Sequence, residues 1–140
     1  MLKKLMIYLG RHRVIMDRQA DEPYLERYYV FLKDRGTFPF NIFLHKFLKS
    51  DPDDLHDHPW RYFTFILRGG YWEYTPTGKH WRGPGHFRVC NSESLHRIEV
   101  KPGVHAWSLF IPFSKVREWG FIKENKWIPH YKYLKHPEKL

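Results

Sequence analysis

Residues 49–74 read KSDPDDLHDHPWRYFTFILRGGYWEY, and the order of signals in that stretch decides the fold. An acidic loop comes first, and its Pro52 and Pro59 forbid continuous strand pairing. Tyr62 to Leu67 is then an uninterrupted apolar run of strand length, rich in aromatic residues. Gly69-Gly70 follows, and Tyr71 to Tyr74 reads as the returning strand of a tight hairpin with a two-residue turn. Loop, strand, turn, strand is the grammar of an all-β chain.

The flanking sequence repeats it. From Tyr24 to Lys33, Leu25, Arg27, Tyr29 and Phe31 alternate with Glu26, Tyr28, Val30 and Leu32, which predicts a strand. Asp34-Arg35-Gly36-Thr37 supplies turn residues, and Asn41 to Leu48 reads as the next strand. Turn signals recur at Thr75-Pro76-Thr77-Gly78, Gly83-Pro84-Gly85, Asn91-Ser92 and Pro102-Gly103, with HFRVC, HRIEV and HAWSLFI between them. Trp119 to Lys123 and Lys126 to Ile128 close the series around Glu124-Asn125. Short strands with turns every 8 to 12 residues or so predict a sandwich or barrel. At 140 residues the chain has room for one core, so a single domain is expected. Residues 1–23 read as an N-terminal arm or short strand, 24–130 as the barrel and 131–140 as a tail.

Composition narrows the setting. Aromatic residues make up 19%, and large flat side chains suit the inner faces of paired sheets. Cys90 is the only cysteine, which excludes an intramolecular disulfide and fits a reducing compartment. The apolar run Leu5 to Leu9 is too short for a signal peptide, and no stretch approaches the length of a membrane span, so a cytoplasmic protein is expected. The net charge of +9 favours anionic partners: nucleic acid, acidic headgroups or a small anionic molecule. The basic residues are scattered and no nucleic-acid-binding motif accompanies them.

His56-Asp57-His58 carries the strongest chemical signal. Residues i and i+2 of an extended segment point to one side, so both imidazoles can reach one ion. Neutral imidazole suits iron, nickel, copper and zinc. A third ligand has to come from elsewhere, and His96 stands at the start of another predicted strand. Asp57 lies between the two histidines and should face away, as an acceptor that braces the loop. Glu93, three residues before His96, is a weaker candidate. Glu73, paired across Gly69-Gly70 with Ile66, would lie about 13 Å along the strand from Tyr62 and is rejected as a ligand. It is placed deeper in the pocket, against substrate. Tyr62 either aims its hydroxyl at the ion or substrate, as a catalytic donor or acid/base, or packs in the core. His105 either faces the pocket or lies on the surface. Arg61 and Arg97 offer forks for an anionic substrate, or are solvated strand residues. His12, His45, His80, His86, His130 and His136 have no partner spacing and are read as structural or exposed.

These residues resemble the two motifs of the cupin superfamily, G-x5-H-x-H-x3-4-E-x6-G and G-x5-P-x-G-x2-H-x3-N. His56, His58 and Gly69 or Gly70 match the first; Gly85 and His96 match the second. The motif glutamate falls on Tyr62 or Phe63, the proline on Asn91, the inner glycine on Glu93, the asparagine on Val100 and the upstream glycine on Ser50. The wider chain is similar to small stand-alone cupin-like proteins often encoded by phages and bacteria. The resemblance implies a cupin-type jelly roll, or double-stranded β-helix barrel. It also implies one divalent ion (iron, nickel, manganese or zinc) held by His56, His58 and His96. Oxygenase or isomerase chemistry on a small molecule is typical of that superfamily, as are homodimers paired through edge strands. Non-catalytic binding of a metabolite or nucleic acid is the alternative. Three neutral imidazoles without the carboxylate leave the ion's charge uncompensated, which favours an anionic ligand in its open positions.

Overall fold

The computed structural model describes residues 1–17, 20–52 and 54–134; Asp53, His136 and the tail from 135 onward lie outside them. In chain order the elements are α1 (Leu2–Tyr8), β1 (His12–Met16), β2 (Pro23–Tyr29), β3 (Phe43–Phe47), β4 (Trp60–Arg68) and β5 (Tyr71–Thr75). They continue with β6 (Gly78–Arg82), β7 (Phe87–Cys90), β8 (Arg97–Glu99), β9 (Ala106–Lys115), β10 (Gly120–Lys123), β11 (Lys126–Pro129) and α2 (His130–Tyr133).

Antiparallel pairing arranges the strands as a six-stranded sheet, β1-β2-β3-β9-β4-β7, a three-stranded sheet, β6-β5-β8, and a ribbon, β10-β11. Strands distant in sequence stand side by side, β3 against β9 and β9 against β4. Such long-range antiparallel crossing is what a jelly roll requires. The two smaller pieces are joined by the acidic loop. Asp51 donates its backbone N–H to Ile98, and His56 bridges His96 on one side and Phe121 on the other. Asp51 and His56 thereby link β8 to β10, and the second layer runs β6-β5-β8, loop, β10-β11.

Alternation sets what lies between the layers. On β4, Tyr62, Thr64 and Ile66 are buried while Arg61 and Leu67 are exposed; on β3, Phe43, His45 and Phe47 are buried. Leu25, Phe47, Ile66, Tyr71, Ile98, Val100 and Ala106 form the apolar core. Each such side chain contributes about 1.5–3 kcal/mol by leaving water.

Gly69-Gly70 is not a hairpin turn. β4 already has β9 on one edge and β7 on the other, so no edge remains for β5, which pairs instead with β6 and β8. Both glycines have positive φ, 82° and 83°, and carry the chain from one sheet to the other. A Cβ on Gly69 would meet the His105 carbonyl at 2.4 Å, so this crossing needs glycine. The two-residue hairpin lies further on, where Thr75 faces Gly78 across Pro76-Thr77 and β6, unforeseen in sequence, returns along β5. The strand expected to reach Lys33 ends at Tyr29, and the next begins at Phe43 rather than Asn41. The Asn41 side chain accepts from the Leu32 N–H and donates to the Leu32 carbonyl, each at 3.0 Å, and so closes the intervening loop. The N-terminal arm forms α1 and then β1, which pairs with β2.

Candidate metal centre

Backbone pairing places the three histidines. His56 and His96 exchange both N–H···O bonds at 3.0 Å, and His58 N–H donates to the Ser92 carbonyl at 3.0 Å. Their rings approach one another at centroid distances of 4.9 Å (His56–His96), 4.8 Å (His58–His96) and 5.4 Å (His56–His58). One ring nitrogen from each lies within 4.8 Å of the others.

Acids behind the cluster orient it. Asp57 does face away from the rings: its carboxylate accepts from Gly120 N–H at 2.7 Å and Trp127 Nε1 at 2.9 Å, and pairs with Arg117 at 2.7 Å. It therefore clamps the histidine loop to β10 and β11. Glu73, buried on β5, meets His96 Nδ1 at 2.8 Å and is flanked by Arg82 at 3.0 Å and Arg88 at 2.5 Å. Burial alone would raise its carboxyl pKa, but the His96 hydrogen bond and the charges of His96, Arg88 and Arg82 outweigh that and hold it down at about 2. With Nδ1 committed to Glu73, His96 presents Nε2 to the cluster. His56 Nδ1 meets the Asp54 carbonyl at 3.2 Å, which likewise leaves Nε2.

A cavity of about 330 Å³ opens beside the rings. Tyr62 lines it, buried, with its ring 4.7 Å from that of His58. Its hydroxyl makes no hydrogen bond among the described residues. Burial first, then the neighbouring Cys90, pushes its pKa well above the usual tyrosine value, so the group keeps its proton. His58 moves the other way: burial, then the charges of His96 and His56, hold it well below the ordinary imidazole value, and its buried Nδ1 has no partner.

The donor set fits a divalent cation. All three donors are imidazole nitrogens, and two have their outer nitrogen fixed by a carboxylate or carbonyl, the arrangement metal-bound histidines use. A buried ring nitrogen without a partner costs stability that a bound cation offsets. Metal–nitrogen bonds of about 2.1 Å at the tetrahedral angle set two donors about 3.4 Å apart, so the widest separation, 4.8 Å, closes by about 1.4 Å on binding.

Several expected residues lie elsewhere. Arg61 is exposed, because it alternates with the inward Trp60 and Tyr62 neighbours along β4. Arg97, between buried His96 and Ile98, turns outward over the Tyr74 ring at 5.7 Å. His105 is exposed and lines a separate cleft with Lys46, Arg68 and Trp107. Glu93 is exposed and outside the cluster. Glu73 lines the cavity and hydrogen-bonds His96. Conversely, His45 is buried and lines the cavity, accepting from Arg27 Nε at 3.1 Å; burial and then Arg27 hold its pKa well below the ordinary value. The alternation Phe43, His45, Phe47 was the available signal for it.

No family model and no curated protein sequence matches this chain. Solved structures do. The polyketide cyclase RemF from Streptomyces resistomycificus is similar over 83% of each chain at 16% identity, with a TM-score of 0.56. A sugar phosphate isomerase of the cupin superfamily from Silicibacter pomeroyi matches 69% of this chain and 64% of its own at 14% identity, TM-score 0.56. A cupin-like protein from Thermotoga maritima matches 75% and 76% at 13% identity, TM-score 0.55. The fold is the cupin jelly roll. Within it this chain brings three histidines together and sets Tyr62 at the position where the cupin motif has a carboxylate.

Proposed function

We propose that this chain is a metal-binding cupin and a metal-dependent enzyme acting on a small anionic molecule. The convergence of His56, His58 and His96 on one point beside a largely apolar cavity carries that reading. The three imidazoles would hold one divalent ion, with Glu73 fixing the orientation of His96. The bound ion supplies Lewis acidity to an oxygen of the substrate. Around it, Tyr62 offers a buried, protonated hydroxyl beside the Cys90 thiol, suited to donate a hydrogen bond to the reacting molecule. Trp60, Phe110 and Tyr71 line the cavity and exclude water from its carbon body. That one similar structure is a polyketide cyclase and another a sugar phosphate isomerase supports an enzyme of small molecules on this architecture.

The test is elemental analysis of protein purified without a polyhistidine tag. About one transition-metal ion per chain is expected in the wild type, and loss of it in His58→Ala with the fold retained by circular dichroism. Wild-type protein that neither carries nor takes up such an ion would remove the reading.

A further inference from the structure

The cavity has a second chemical feature, on the six-stranded sheet and away from the histidines. Cross-strand register places Arg13 opposite Arg27, Arg27 opposite His45, and His45 opposite Ser108. All four line the cavity, so they form one inward row across β1, β2, β3 and β9. Ser108 pairs with Ile66, and Tyr62 stands four residues from Ile66 along β4. The row is thus about 13 Å from the Tyr62 level along the strand direction.

Like charges placed directly opposite on neighbouring strands repel, and such pairs are disfavoured unless something between them compensates. Among the described residues neither Arg13 nor Arg27 pairs with a carboxylate. The two acids on the cavity wall are engaged elsewhere: Asp51 with the Tyr24 hydroxyl and the Ile98 N–H, Glu73 with His96, Arg82 and Arg88. Glu26, next to Arg27 in sequence, points to the opposite face of the sheet, toward Lys3, His12 and Lys46. Arg27 is further held in place by stacking its guanidinium 4.4 Å over the Phe43 ring and by donating Nε to His45. Nε is committed to His45 and the Tyr29 hydroxyl also meets the guanidinium; neither is a carboxylate, and a planar fork matches a carboxylate or phosphate.

We infer that Arg27, assisted by Arg13, is the anion-reading site of this cavity, and that its ligand is an elongated organic oxyanion. The carboxylate or phosphate group lies on the arginine row, and the carbon body runs between the apolar walls toward the histidines. This deepens the function proposed above and rests on it only for the ligand's far end; the anion contact itself does not need the metal. The charge sought in the sequence at Arg61 and Arg97 comes instead from Arg27, which shares the inward face of β2 with Leu25, and from Arg13, which borders the cavity from the edge strand β1.

The test is calorimetric titration of chelator-stripped protein with succinate and, separately, with inorganic phosphate, so that no ion contributes. Wild type should bind at least one of the two, and which one distinguishes an organic acid from a phosphate ester. Arg27→Gln should weaken that binding about tenfold or more, and Arg13→Gln by a smaller factor. Arg27→Lys should recover only part of it, because the fork is lost while the charge stays. Arg13 is exposed, so its variant folds even where Arg27→Gln does not. Metal content should be unchanged in all three. Stripped wild type that binds neither probe, or arginine variants that bind as wild type does, would overturn the inference. Wild type that neither carries a metal as purified nor takes one up, yet binds the probe through Arg27, would sink the enzyme reading and leave this one standing.

Discussion

The two ends of the cavity are built on opposite principles. At the histidine end the protein meets its own electrostatic needs: Asp57 and Glu73 sit behind the rings, each ringed by N–H donors and arginines. At the arginine end, two guanidiniums face the cavity without an acid to balance them. The first is a site whose own ionic groups are paired within the protein, its three rings braced for a cation. The second is left incomplete by the fold, and its partner has to arrive from solution. Buried charge is tolerated where it is paired, so an unpaired pair on a cavity wall points at the ligand.

The strongest way to break this comparison is to remove the internal bracing. Asp57→Ala leaves Arg117, the Gly120 N–H and the Trp127 indole without their shared acceptor. It should cost about 3–5 kcal/mol in urea unfolding and abolish metal uptake; a loss below 1 kcal/mol would show that the loop is held by other means. Next in size is Gly69→Ala, at a positive φ and against the His105 carbonyl. A loss of roughly 2–3 kcal/mol is expected, with metal affinity falling too, because this crossing is what delivers Glu73 behind His96. A neutral result there would mean that β5 can be reached by another path.

Acid titration sharpens the contrast on the outer face of the arginine strand. Glu26 would be pushed up by burial, yet hydrogen bonds from Lys3 and His12 and the charge of Lys46 hold its carboxyl at about 2, against an ordinary 4.5. Its folded-state value is depressed, so the stability it lends is complete above pH 4.5 and disappears as pH falls toward 2. Glu26→Gln should flatten that part of the stability–pH curve by on the order of 2 kcal/mol; an unchanged slope would contradict the pairing. Least of all should happen in Arg61→Ala, whose side chain is solvated. Stability within about 0.5 kcal/mol of wild type is expected, with metal content and anion binding untouched.

Legibility followed the range of the physics involved. Short strands and turns depend on alternation and on glycine, proline and asparagine chemistry within a few residues, and most were visible. The failures came where partners are distant. Tyr71–Thr75 looked like the return of a hairpin because Gly69-Gly70 suits one, and nothing local says that β7 and β9 already occupy both edges of β4. Glu73 was misplaced for the same reason: assigned to the wrong sheet, it fell about 13 Å from the rings instead of against His96. Arg61 and Arg97 were offered as forks for an anion, yet each stands next to an inward residue, Trp60 or His96, and neighbours along a strand face opposite sides. Arg13, Arg27 and His45 were overlooked because each is unremarkable alone and acquires meaning only as a row across strands.

By itself the sequence determined a chain of short antiparallel strands, the placement of His56 and His58 on one side of an extended segment, and the position of His96 at the start of another strand. Those follow from the two-residue period of extended backbone. Only tertiary structure decided which strands share a sheet, which carboxylate stands behind which histidine, and which arginines face the cavity. Strand neighbours are chosen by burial and edge occupancy over the whole domain, and no window of local sequence contains that competition.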